Sequence, residues 1–178
     1  IAKAKNLTFI SLEKFLLILL NKIRETNGIL VSYSSAEEII IKANLTFFSE
    51  LYSNHIKYLN LLKPAKKWIN KFHKLRFSLL PPLRKKFNSF QQKRSKRSLA
   101  SIMRLINFPI SSDYAPFGTT KRINDILSGL KRTKGDYFKL TPCQKQKCTK
   151  LFKHNSYDVM AMTVLLNEIL EKDPKLVT

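Results

Sequence analysis

The stretch from Leu51 to Ser112 contains no Asp or Glu, and this absence constrains the fold more than any other feature of the sequence. The same stretch carries 15 of the 33 Lys and Arg residues, so its formal charge is +15. Residues 1–50 carry only +1, and residues 113–178 carry +5. Because like charges repel and no acid within the stretch can offset them, its cations are expected to face solvent or a polyanion.

Nucleic acid is the polyanion that this charge favours. Neutralising phosphates with Lys and Arg releases counterions and gives affinity that does not depend on base sequence. Aromatic residues lie among the cations: Trp68 and Phe72 fit the apolar stripe of a helix, whereas Phe87 and Phe90 could stack on unpaired RNA bases or hold the basic segment to a core. A solvated basic face without a partner is the alternative. The predicted RNA-binding residues are Lys63, Lys66, Lys67, Lys71, Lys74, Arg76, Arg84, Lys85, Lys86, Lys93, Arg94, Lys96, Arg97 and Arg104.

Composition predicts an all-α fold. The chain is 44% hydrophobic, which is enough for a core, and it has only 4 Gly, few for a turn-rich β fold. We expect an irregular bundle of about six helices with a basic arm that is extended or helical. Charge and apolar periodicity divide the sequence into an N-terminal helical part with a long core helix (1–62), a strongly basic helical arm (63–112) and a C-terminal three-helix part (113–178), all within one domain.

Local signals place the helices of the first half. Ser11 can cap a helix that stops at Gly28, and residues 29–33 read as a connector or a lone strand. Ser35 and Glu38 form a capping-box pattern that begins the core helix, which is predicted to run to Leu62 with Leu45 and Phe48 buried. The next helix, 65–80, is expected to bury one face, formed by Ala65, Trp68, Ile69, Phe72, Leu75 and Leu79.

Proline and capping signals organise the second half. Pro81-Pro82 ends one helix, and Pro82 can begin another that carries Leu83, Phe87 and Phe90. Gln91–Ser98 has no apolar residue, so it is predicted to be an exposed helix or a loop that orders against phosphate. Further helices are predicted from Thr119 or Thr120, from Thr141-Pro142, and from Ser156.

Catalytic and metal-binding patterns are not evident in the sequence. His55, His73 and His154 fit no recognisable nucleophile–base arrangement, and Cys143 and Cys148 match no structural zinc spacing. No Gly-rich phosphate loop is present. We therefore expect a protein that is not an enzyme and that has no cofactor, metal or small-molecule substrate. A secreted scaffold of this size would usually carry more than two cysteines, which favours a reducing compartment. Two cysteines five residues apart on one helix also make a poor local disulfide.

These observations predict a non-enzymatic, RNA-binding structural subunit of a large ribonucleoprotein, above all a mitochondrial ribosomal protein. Its partners would be the phosphate backbone of ribosomal RNA and neighbouring proteins of the assembly. The chain begins at Ile1 rather than Met, which fits a processed matrix protein or a fragment; another reducing intracellular compartment is the alternative location. Two alternative functions remain open: a supernumerary subunit of a mitochondrial inner-membrane complex with a basic lipid-facing surface, and a DNA-binding architectural protein.

Overall fold

The structure is a computed structural model that describes residues 10–34, 37, 39, 43, 57–81, 84–87, 90–93, 97–109 and 118–177, with only the backbone for 84–87 and 90–93. The described chain is mainly helical, which agrees with the predicted class, but it contains two short strand pairs and is not a clear six-helix bundle. It divides into a central unit (residues 75–164) and a terminal unit (residues 9–74 and 165–178). The division of the sequence at 62 and 112 stays a prediction.

Helix α1 (Leu12–Glu25) opens the terminal unit with the predicted boundaries. The Ser11 hydroxyl accepts a hydrogen bond from the Lys14 backbone N–H at 3.1 Å, which satisfies one of the unpaired donors of the first turn. At the other end, Gly28 N–H donates to the Ile23 carbonyl at 2.9 Å. The sequence signals for this helix were therefore sufficient to locate both of its ends.

A parallel strand pair corrects the predicted long core helix. Strand β1 (Ile29–Ser32) pairs with β2 (Lys57–Asn60) in the register Ile29↔Lys57 to Ser32↔Asn60. The helix predicted from Ser35 to Leu62 therefore ends before Lys57, because pairing with a strand distant in sequence overrides local helical periodicity. Leu45 and Phe48 lie outside the described residues.

The helix after β2 has three contiguous segments: α2 (Leu62–Trp68), a π-helical turn (Ile69–His73) and α3 (Lys74–Leu79). The Asn60 side chain accepts the Leu62 N–H at 3.2 Å where the helix begins. Pro64 lies in the first turn, where its missing N–H removes no helical hydrogen bond. The helix thus begins earlier than predicted, with the proline inside it.

The π turn divides the predicted apolar face of this helix. Ala65, Trp68 and Ile69 are buried as expected, but Leu75 and Leu79 are 75% and 74% exposed. A π turn adds one residue relative to the α repeat, which rotates the following side chains by about 100°. The predicted face is therefore correct as far as Ile69 and wrong from Phe72 onward, because Phe72, inside the π turn, is also exposed.

A β-hairpin replaces the helix predicted from Pro82. Strand β3 (Arg84–Phe87) pairs antiparallel with β4 (Phe90–Lys93), and two residues separate the strands. A two-residue connection is the commonest hairpin length, and consecutive cations are farther apart on an extended chain than on a helix. The helical alternative for residues 91–93 is accordingly wrong, and residues 94–96 lie outside the described residues.

Helix α4 (Leu99–Met103) and the 3₁₀ turn Arg104–Ile106 follow the hairpin. Four apolar side chains of this segment are almost completely inaccessible to solvent: Ala100, Ile102, Met103 and Leu105. This segment is thus part of the core of the central unit.

Helices α5 (Thr119–Arg132) and α6 (Pro142–Lys172) are joined by a turn and the 3₁₀ segment Tyr137–Lys139. Gly135 adopts φ +85°, a left-handed conformation that favours glycine, and its N–H donates to the Leu130 carbonyl at 2.8 Å. A buried cluster connects the two helices through Ile126, Leu130, Tyr137, Leu140 and Cys148.

Helix α6 is continuous, so the separate helix predicted from Ser156 is wrong. No Gly or Pro interrupts the chain between Pro142 and Pro174, and a polar Asn-Ser pair alone does not end a helix. The predicted start at Thr141-Pro142 is confirmed. A short 3₁₀ turn, Pro174–Leu176, follows α6. Among the described helices, none combines the length and the apolar run that crossing a bilayer requires.

Candidate nucleic-acid interface

A row of lysines lies on the solvent side of the helix that begins at Leu62. Lys63, Lys67, Lys71 and Lys74 are exposed and recur every three or four residues, while Lys66 is half-buried. The opposite side is fixed by the core of the terminal unit, where Trp68 is completely buried. The packing of that buried side holds the lysines along one helical edge.

Lys71 differs from the other lysines of the row because it already has an acidic partner. Its Nζ lies 2.7 Å from Asp173 Oδ2, and this hydrogen bond, together with the positive charge, lowers the pKa of the Asp173 carboxyl. The Lys71 ammonium also lies 5.3 Å from the centre of the Phe72 ring. Among the predicted site residues, Lys71 therefore contributes less uncompensated charge than its exposed neighbours.

Two arginines of the central unit each donate one of their five N–H groups to an uncharged acceptor. Arg76 Nη2 donates to Asn107 Oδ1 at 2.8 Å, and Arg104 Nη1 donates to the Pro81 carbonyl at 2.7 Å. These bonds restrict each guanidinium without neutralising it. Arg76 is exposed and Arg104 half-buried, so both retain their charge near the surface.

The hairpin gathers four more of the predicted residues on two short strands. Its register places Arg84 opposite Lys93 and Phe87 opposite Phe90. Like charges directly opposite one another destabilise a strand pair, and a bound anion would remove that cost. Lys85 and Lys86 belong to the same ribbon. Arg97 is exposed beyond it, while Arg94 and Lys96 lie outside the described residues.

The predicted residues fall into two groups, one in each unit. The terminal unit holds Lys63, Lys66, Lys67, Lys71 and Lys74, and the central unit holds Arg76, Arg84, Lys85, Lys86, Lys93, Arg97 and Arg104. Sequence reasoning found these cations but missed how Lys71 is compensated, because its partner lies about a hundred residues away. No local pattern could have revealed that pair.

The described histidines and cysteines form no evident catalytic arrangement. His154 Nε2 lies 3.3 Å from Asp158 Oδ2, one helical turn later on α6, and His73 stacks obliquely near Trp68 with ring centres 4.3 Å apart. Burial raises the pKa of the Cys148 thiol, which keeps it protonated and unreactive at neutral pH. Both cysteines are free thiols. Within the described ranges, no group of three or more His, Cys, Asp or Glu residues could hold a metal.

An apolar cleft lies in the central unit between α5 and α6. It has a volume of about 330 Å³ and is lined mainly by Ile123, Ile126, Leu151 and Phe152. Ile123, Ile126, Leu127 and Leu130 recur on α5 at helical spacing, and the structure buries only Ile126 and Leu130. The apolar face of α5 is therefore wider than the surface that α6 covers.

No known protein family, characterised protein or solved structure matches the chain.

Proposed function

We propose that the chain is a non-enzymatic RNA-binding structural subunit of a large ribonucleoprotein and, within that class, a mitochondrial ribosomal protein. The observation that supports this proposal most is the lysine row on the helix from Leu62, because its lysines lie opposite a buried side that contains Trp68. Rigid cations can contact successive phosphates with a smaller loss of side-chain and backbone entropy than cations on a mobile segment. Ribosomal RNA supplies such phosphates at high density.

The proposal assigns different roles to the two groups of cations. The lysine row is a preformed contact for the phosphate backbone, and the hairpin is a second contact, in which Phe87 and Phe90 would stack on unpaired bases. Neither role requires base-specific hydrogen bonds. The expected binding is therefore strong at low salt, weakly sequence-selective and steeply dependent on ionic strength.

A triple substitution of Lys63, Lys67 and Lys74 to Gln tests the proposal. These three lysines are exposed, and none has a described acidic partner. Each lost phosphate contact should reduce the slope of log affinity against log salt by about 0.7–0.9, so the triple variant should lose about 2–3 in slope. RNA binding of the parent and the variant is measured from about 50 to 200 mM salt.

The matched control replaces three other exposed helical lysines, Lys131, Lys150 and Lys172, by Gln. The net charge changes equally in both triple variants, so a general attraction between a basic protein and RNA predicts equal effects. The proposed interface predicts a larger loss for the variant of the lysine row. Equal losses, or unchanged slopes in both variants, would contradict it.

One observation favours a second function. Leu75 and Leu79 project into solvent on either side of Arg76, and exposed apolar groups beside a cation fit the surface of an anionic bilayer. This is the surface expected of a subunit attached to the inner membrane. Flotation of the parent and a Leu75→Asp, Leu79→Asp variant with anionic vesicles tests it: equal flotation of both would count against lipid contact by this turn. Competition between RNA and duplex DNA of equal length tests the architectural DNA-binding alternative.

A further inference from the structure

We infer that the cleft between α5 and α6 is a docking groove for an amphipathic helix of a neighbouring protein, with apolar residues on one face and acidic residues beside them. This gives a location to the protein partner of the proposed function, but it does not depend on RNA binding. The groove belongs entirely to the central unit.

The groove runs between two antiparallel helices. Asp125 and Gln144 are joined by a hydrogen bond of 3.1 Å between the Asp125 carbonyl and the Gln144 amide, while Thr119 lines the groove together with Asn155. Residues near the start of α5 therefore lie beside residues further along α6. As a result, the C-terminal end of α5 and the N-terminal end of α6 are at the same end of the groove.

Apolar side chains extend beyond the cleft itself. On α5, Ile123 and Leu127 are one turn apart, and Leu127 is 53% exposed. On α6, Phe152 is 47% exposed, and Val159, seven residues later and about 10 Å along the helix, is also exposed. An apolar surface of this length fits two or three turns of a helix laid along the groove better than a compact small molecule.

Charge identifies the polar part of the partner. Residues 118–164 contain ten Lys or Arg and only three acids. Each acid already lies in an ion pair or beside a histidine: Asp125 with Lys147 at 2.5 Å, Asp136 with Lys139 at 3.4 Å, and Asp158 with His154 at 3.3 Å. The cations of this part of the chain outnumber its acids by seven, so a partner with carboxylates is electrostatically complementary.

The cations are also placed to contact such a partner at one end. Lys131 is exposed and continues the α5 row of Ile123 and Leu127 at four-residue spacing. Lys145 continues the α6 row of Phe152 and Val159; it is half-buried and donates to the Phe138 carbonyl at 2.8 Å, a neutral acceptor that leaves its charge in place. Both lysines lie at the end of the groove where α5 finishes and α6 begins. The acidic residues of the partner should therefore be concentrated at that end.

A synthetic peptide tests the groove. The probe is a helix of about 15 residues, about 22 Å long, with Leu on one face and Glu on the other. Its affinity for the full chain is measured by fluorescence anisotropy. A peptide with the same residues in scrambled order removes the apolar face, and a peptide with Lys in place of Glu reverses the charge. The parent should bind the first peptide and bind both controls at least about tenfold more weakly.

Two variants locate the binding. Ile123→Glu places a charge on the wall of the groove, where Ile123 is partly exposed, and should weaken peptide binding by about tenfold or more. Leu75→Glu changes an exposed leucine that does not line the groove and should leave binding unchanged. Urea unfolding of both variants confirms that each is folded. Equal affinity for the scrambled peptide, or equal effects of the two variants, would overturn the proposal.

A competition experiment with lipid vesicles distinguishes a protein partner from a lipid surface. If anionic phospholipid vesicles compete with the peptide, and Ile123→Glu abolishes vesicle binding, then the groove contacts lipid and the proposed helix partner is wrong. If the vesicles leave peptide binding intact, the result supports a protein partner. The RNA-binding variants of the lysine row lie in the other unit, so loss of RNA binding and loss of peptide binding are scored independently.

Discussion

Replacing Gly129 with Ala should destabilise the protein, although helix propensity alone predicts the opposite. Gly129 lies inside α5, where Ala is favoured over Gly by about 1 kcal/mol. An added Cβ, however, would lie 2.7 Å from Gln144 Cδ and 2.9 Å from its Oε1, and closer still to Nε2. The Gln144 side chain therefore has to leave its position.

That side chain is buried and makes three hydrogen bonds. Its Oε1 accepts the Thr141 backbone N–H at 3.1 Å and the Thr141 hydroxyl at 3.2 Å, and its Nε2 donates to the Asp125 carbonyl at 3.1 Å. The first bond completes a capping box at the start of α6, since the Thr141 hydroxyl in turn accepts the Gln144 N–H. At about 0.5–1.5 kcal/mol for each bond, displacing the side chain costs about 1.5–4.5 kcal/mol. After the propensity gain, the net loss is about 2 kcal/mol.

A double-mutant cycle in urea tests this reasoning. In a Gln144→Ala background no side chain opposes the new methyl group, so Gly129→Ala should stabilise that protein by about 1 kcal/mol. The sign of the same substitution thus reverses, with a coupling of about 3 kcal/mol between the two sites. A higher unfolding midpoint for Gly129→Ala in the parent background would refute the close contact between Gly129 and Gln144.

Two further predictions concern charge and packing. The hydrogen bond from Lys147, together with its positive charge, lowers the pKa of the Asp125 carboxyl. The pair therefore stabilises the protein above the ordinary carboxyl pKa of about 3.9, and this stabilisation is lost as the pH falls through the lowered pKa. Asp125→Asn should flatten the acid side of the curve of stability against pH, measured by urea unfolding, and an unchanged curve would contradict the pair. Trp68→Ala should lower the free energy of unfolding by about 3–5 kcal/mol, whereas Leu75→Ala should change it by less than about 0.5 kcal/mol; similar effects of the two would contradict the rotation at the π turn.

Local signals in the sequence predicted the helix ends that depend on nearby residues. Ser11, Gly28 and Thr141 act on backbone groups within a few positions of themselves, and the structure confirms the boundaries that they indicate. Burial of Trp68 was predictable for the same reason, because a regular α repeat holds over the preceding turn.

The errors arise where a distant partner or an inserted residue decides the structure. Lys57–Asn60 pairs with a strand that lies some twenty-five residues earlier in the sequence. The spacing of apolar residues within the segment carries no information about that distant partner. The π turn at Ile69–His73 rotates the side chains that follow it about the helix axis. Leu75 and Leu79 are therefore exposed, although the sequence predicted that they are buried. Pairing between distant strands and a change of helical repeat both depend on tertiary packing, which overrides local propensity.

The candidate interface was predictable as a set of cations but not as an arrangement. Absence of acids between Leu51 and Ser112 identified the residues directly. Which lysines face solvent, and which one is compensated by Asp173, depends on packing between distant parts of the chain. The division of the cations between two units is likewise a property of the fold.

Sedimentation of the protein from cells that express it, with and without RNase, tests the central claim most directly. The account predicts that the chain sediments with a large particle in a gradient at moderate salt, and that RNase digestion moves it to light fractions while detergent does not. Sedimentation that RNase leaves unchanged, or that detergent abolishes, would contradict an RNA-held subunit and would favour the membrane alternative.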